Sequence, residues 1–85
     1  MQRNIDLIRE ILLEVEKKDS PTGWIDIEID GYSKEQVAYH VQLLAEASYM
    51  EAKNLTTKGR FNWKPVRLTW QGHDFLDAAR DNTIW

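Results

Sequence analysis

Apolar residues along the first eighteen positions recur at helical spacing. Ile5, Ile8, Ile11, Leu12 and Val15 form one stripe, with Leu7 and Leu13 at its flanks. Asn4 precedes the stripe as an N-cap, and Asp6 lies in the first turn, where the helix dipole favours an anion. Glu14 and Lys18 stand four apart, able to pair on the outer face. The helix ends near Lys18, because Asp19-Ser20-Pro21-Thr22-Gly23 reads as a loop. The period then changes to two. Ile25, Ile27 and Ile29 alternate with Asp26, Glu28 and Asp30, which predicts a half-buried strand over Trp24–Asp30 with an acidic outer face. Gly31-Tyr32 turns the chain into Ser33, and Ser33 with Gln36 has the form of a capping box. A second helix follows to about Ala47, its inner stripe carried by Val37, Val41 and Leu44. Tyr49–Leu55 and Trp63–Leu68 read as two strands joined by an exposed tip, Thr56–Asn62, that contains Gly59. Pro65 donates nothing to a ladder and marks a local sheet edge. Thr69 caps a last helix that turns Phe75, Leu76 and Ala79 inward, and Ile84 and Trp85 are expected to dock back on the domain.

This order predicts one α+β domain over residues 1–85, with three helices around a small three-stranded sheet. Its composition, 42% hydrophobic and 29% charged, is that of a folded domain. There is no cysteine, which removes disulfides and thiolate metal sites and fits a reducing cytoplasm. No apolar run approaches the ~20 residues of a membrane span, and the acidic amphipathic start is not a signal peptide. The net charge of −3 is unevenly spread. Residues 1–51 carry eleven acids and five bases, residues 52–73 carry five bases and no acid, and residues 74–85 carry three acids and one base. The sum −6 + 5 − 2 returns −3, so a cationic block sits inside an acidic chain.

Ser33-Lys34-Glu35-Gln36-Val37-Ala38-Tyr39-His40-Val41, running on to Tyr49-Met50, resembles the recognition helix and first strand of a winged helix-turn-helix domain. The matching features are the cap, the internal His40-Val41 pair, the small-residue stop at Ala47-Ser48 and the apolar strand start. More broadly, the chain is similar to a bacterial and phage family called domain of unknown function 2513. Asp6-Leu7-Ile8-Arg9-Glu10-Ile11-Leu12-Leu13, Gly23-Trp24-Ile25-Asp26-Ile27, Ala38-Tyr39-His40-Val41 and Leu43-Leu44-Ala45-Glu46-Ala47 carry that likeness. Arg67-Leu68-Thr69-Trp70, Gly72-His73 and Phe75-Leu76-Asp77-Ala78 extend it over nearly the whole chain. The resemblance implies a winged helix, in the order helix-strand-helix-strand-wing-strand-helix, with no established activity. The helix-turn-helix is degenerate, since Gly31-Tyr32 leaves no room for the usual extra helix. The looser winged-helix likeness implies contact with double-stranded DNA.

The residues themselves leave two partners open. For DNA, Lys58, Arg60 and Lys64 of the hairpin would neutralise phosphates, helped by Phe61, Trp63 and Trp70. Lys34, Gln36, Tyr39 and Gln42 would supply any base reading from the second helix. Against this, Glu35 and Glu46 on the same helix face repel phosphate, and Leu43 there suits a protein contact. The alternative is therefore a protein-interaction or homodimer surface of Glu35, Leu43, Glu46, Trp63 and Trp85, the two tryptophans being expected at the surface. The hairpin cations equally fit a soluble edge that discourages aggregation. Asp26, Glu28 and Asp30 lie ~6.5–7 Å apart along a strand, so they read as a solvated face open to a basic partner, such as a neighbouring copy's wing, rather than as a metal site. His40 reads as a structural histidine at the core edge. His40 and His73 match no zinc spacing, and neither a phosphate loop nor a nucleophile elbow is present. The expectation is a non-enzymatic binding module without metal, cofactor or small-molecule site.

Overall fold

The computed structural model describes residues 2–18 and 23–80. Its elements are α1 (Ile5–Lys18), α2 (Lys34–Glu46), β1 (Met50–Asn54), β2 (Trp63–Leu68) and α3 (Trp70–Arg80). The result is a small α+β fold of three helices and a two-stranded antiparallel sheet. The expected loop at 19–22 and the docking of Ile84 and Trp85 lie outside the described residues.

Asn4 caps α1, its Oδ1 accepting the Leu7 N–H at 3.1 Å. Glu14 pairs with Lys17 at 3.3 Å and with Lys18 at 3.8 Å. The buried stripe is Leu7, Ile8, Ile11, Leu12 and Val15. One expected core residue is displaced: Ile5 is 60% exposed and Leu7 is buried in its place. Ile5 shares the azimuth of the buried Leu12, so its exposure follows from its place as the first residue of α1 rather than from its phase, whereas Leu7 stacks below the buried Ile11 at i+4.

The predicted strand at 24–30 is half right. Ile25, Ile27 and Ile29 do face the core, with Asp26, Glu28 and Asp30 outward. No ladder forms, however, so the expected three-stranded sheet has two strands. The segment's one backbone bond to β2 runs from the Ile25 N–H to the Pro65 carbonyl, at 2.9 Å. Pro65 has no N–H to return, so reciprocal pairing cannot develop at that point. On the other side of β2 the register slips by one: Glu51 faces Arg67, Ala52 faces Pro65, and Val66 is left between as a bulge.

The Ser33 hydroxyl accepts the Gln36 N–H at 3.1 Å, and Gln36 Oε1 accepts the Ser33 N–H at 3.0 Å. This is the expected capping box. His40, 1% exposed, ties α2 to α1. Its Nε2 accepts the Asn4 N–H at 2.9 Å and its Nδ1–H donates to the Gln36 carbonyl at 2.8 Å. An acceptor at Nε2 fixes the neutral Nδ1–H tautomer. At its far end α2 closes as a Schellman turn. The Tyr49 N–H reaches the Leu44 carbonyl at 2.9 Å, the Ser48 N–H reaches Ala45 at 3.0 Å, and Ser48 takes φ +67°.

Thr69 then fastens α3 to that turn. Its N–H donates to the Tyr49 carbonyl at 3.1 Å and its hydroxyl to the Ser48 carbonyl at 2.6 Å, while Oγ1 caps the Gly72 N–H at 3.1 Å. Gly72 is buried against Tyr49 so closely that any Cβ would overlap the Tyr49 carbonyl oxygen. Tyr49 and Phe75 stack with centroids 4.9 Å apart. Leu76, fully buried, completes a core shared with α1, Ile27, Val37, Val41, Leu44, Met50 and Leu68.

Candidate nucleic-acid interface

The hairpin is better ordered than an exposed tip requires. Thr57 and Arg60 exchange backbone bonds of 3.1 and 2.9 Å around a two-residue turn, Lys58-Gly59, with Gly59 at φ +71°. Below it the Leu55 N–H reaches the Asn62 carbonyl at 2.8 Å, and Thr56 Oγ1 accepts the Asn62 N–H at 3.1 Å. This holds Arg60, Phe61, Trp63 and Lys64 opposite the first turn of α2.

Between them lies an open groove of about 880 Å³. Lys34, Glu35 and Ala38 of α2 form one wall, Gly59–Pro65 the other, and Asp26–Glu28 with Lys18 the end. Its cations are Lys18, Lys34, Arg60 and Lys64 and its carboxylates Asp26, Glu28 and Glu35, so the lining carries 4 − 3 = +1. Lys64 Nζ lies 2.6 Å from Asp26 Oδ1. That hydrogen bond and the charge of Lys64, then the charges of Lys34 and Lys18, hold the Asp26 carboxyl below its ordinary range. The pairing also relieves like charge across the sheet, where Lys64 stands opposite Lys53. Arg67 is matched in turn by its cross-strand neighbour Glu51, at 2.8 Å. Two of the five hairpin cations are therefore paired, while among the described residues Lys53, Lys58 and Arg60 make no ion pair.

Of the residues expected to touch DNA, the groove gathers Lys34, Arg60 and Lys64. Lys58 stands exposed on the adjoining turn. Gln36 is half-buried with its Oε1 committed to the capping box, and Tyr39 and Gln42, also half-buried, lie outside the described lining. Of the alternative protein contacts, Glu35 and Glu46 are exposed and Leu43 is half-buried. Trp63 corrects an expectation: it is half-buried and packed against the core. Trp70, 82% exposed, and Trp24 are the tryptophans at the surface, and Trp85 lies outside the described residues. In α3 the inward faces of Phe75 and Leu76 put Trp70 on the opposite side at 100° per residue. Lys18 also lines the groove, although in sequence it reads only as the end of α1 and a partner for Glu14.

The acidic segment has a divided fate. Asp26 meets the molecule's own hairpin. Glu28 lines both this groove and a second one of about 610 Å³, which Asp30 shares with Asp6, Arg9, Glu10, Glu14, Ile29 and Tyr32. Five carboxylates against one arginine give that second groove −5 + 1 = −4. Among the described residues no group of three or more His, Cys, Asp or Glu is arranged to hold a metal ion. Among them, too, no helix is long and apolar enough to cross a membrane.

Residues 2–85 match the family described as Hypothetical protein (DUF2513). The chain is also similar to an uncharacterized protein of Haemophilus influenzae, 38% identical over 86 residues that span all of this chain and 73% of the relative. No solved structure matches it. The family match over almost the full length, together with that relative, establishes that the chain belongs to the DUF2513 family.

Proposed function

We propose that the protein is a non-enzymatic nucleic-acid-binding module built on a winged-helix arrangement, with the β1–β2 hairpin as its wing. One observation carries the reading: Lys34 at the start of α2 and Arg60 at the hairpin tip line a single groove with Phe61 and Trp63. Cations from two elements on one concavity suit a phosphodiester backbone, and the flanking aromatic rings suit a sugar or a base. The outer face of α2 offers little for reading base edges, with Gln36 engaged and Glu35 and Glu46 acidic. The module therefore holds duplex DNA chiefly by its backbone, with weak sequence preference. A cysteine-free chain suits that work in a reducing cytoplasm.

Fluorescence anisotropy with a mixed-sequence duplex at low ionic strength tests this. Binding should weaken with salt at a logarithmic slope of about −2 to −3, as for two or three phosphate contacts. Lys34→Ala with Arg60→Ala should abolish it. A flat titration for the native protein sinks the proposal.

A second reading has its own support. The acidic groove beside α1 and the half-buried Leu43 suit a protein partner, including a second copy. Light scattering after gel filtration separates the two, because a dimer that covers Tyr39 and Leu43 would exclude α2 from a DNA groove.

A further inference from the structure

We infer that the Asp26 carboxylate is a resident anion seated where the groove would take a backbone phosphate, so that nucleic acid must displace Asp26 from Lys64 in order to bind. The inference rests on the proposed nucleic-acid function and assigns the position of one phosphate within it. Asp26 comes from the extended segment before α2, not from the hairpin, yet its Oδ1 sits 2.6 Å from Lys64 Nζ. Lys34 and Lys18 line the same groove. One ammonium group thus holds the oxygen directly, and two more, from other parts of the chain, line the groove around it.

The asymmetry of exposure shows which partner is replaceable. The Lys64 side chain is 26% exposed and held along the groove wall, whereas that of Asp26 is 71% exposed. Rotation of the Asp26 side chain into solvent uncovers a cation already in position and moves no element of the core. The surface pair itself is weak and is screened by salt, so exchange for the monoanionic phosphodiesters of a nucleic-acid backbone is feasible. The Glu51–Arg67 pair offers a matched comparison, since it removes the same charge from the same hairpin but contributes nothing to the groove lining.

Anisotropy titrations of the native protein, Asp26→Asn, Glu51→Gln and the double variant Asp26→Asn/Lys64→Gln test the inference on one labelled duplex, from about 50 to about 200 mM salt. Asp26→Asn should bind about 3- to 10-fold tighter, with a salt slope steeper by about one. Glu51→Gln should change affinity less than about twofold, and the double variant should lose the gain. Circular dichroism melting of each variant confirms that folding is retained, and Asp26→Ser serves as a second replacement. Asp26→Asn no tighter than the native protein, or no tighter than Glu51→Gln, overturns the inference while leaving the nucleic-acid reading intact. Binding by Asp26→Asn alone supports the resident anion and removes the native protein's DNA function. Binding by neither overturns both.

Discussion

The two ends of α2 are joined to the rest of the molecule by different chemistry. At its C-terminus the Schellman turn, Thr69 and Gly72 interlock through main-chain atoms and the Thr69 hydroxyl, with the Tyr49 carbonyl touching both Thr69 and Gly72. At its N-terminus α2 faces the hairpin across an open groove, in which the contact is a side-chain ion pair from Lys64 of the hairpin to Asp26 of the segment that precedes α2. The first junction has no spare volume and tolerates no added atom. The second can rearrange by rotating a side chain. Rigidity is concentrated where the helices and sheet meet, and adaptability where a partner would arrive.

The comparison is most directly broken at Gly72. Gly72→Ala drives a methyl into the Tyr49 carbonyl and should cost more than about 3 kcal/mol in urea denaturation, since backbone rather than a flexible side chain must yield. His40→Ala comes next. It opens a cavity and strands the Asn4 N–H, for a loss of about 2–4 kcal/mol by the same measurement. Ser33→Ala removes half of the capping box and should cost about 1 kcal/mol, with helix loss confined to the first turn of α2 by amide exchange. Ser48→Gly should raise the melting temperature slightly. It relieves about 1 kcal/mol of left-handed strain, partly offset by glycine's greater freedom when unfolded. The smallest effect belongs to the groove. Asp26 titrates below its ordinary value of 3.8 in the folded state, so its tie to Lys64 contributes fully above that value. The contribution fades as the pH falls through the lowered folded value. Carboxyl carbon shifts in an acid titration should show that displaced midpoint while the main-chain junction at Tyr49 and Thr69 stays unchanged.

Local signals in the sequence were enough for α1, the capping box of α2, the bounds of β2 and the Thr69 cap, because each depends on neighbours within a few residues. The alternation at 25–30 reported which side each residue faces and nothing about hydrogen-bond partners. Those depended on Pro65, thirty-five or more positions away. The cationic block was legible as charge but not as available charge, since Asp26 lies far from Lys64 in sequence and Glu51 belongs to the opposite strand. Trp63 and Trp70 are alike in composition, and their exposure followed from the strand packing of one and the helix phase of the other. That phase was readable from Phe75 and Leu76. The meeting of Lys18 with the hairpin was not, being a product of the tertiary arrangement.

The proline in β2 has one more effect. A bare strand margin is a template on which other chains can add, and the margin of β2 that faces Ile25 is spoiled twice, by a missing donor at Pro65 and by the Ile25 N–H already spending its carbonyl. The neighbouring Val66 bulge twists that margin further from flatness. A hairpin displayed this openly therefore offers, along that margin, a poor template for strand addition by another copy.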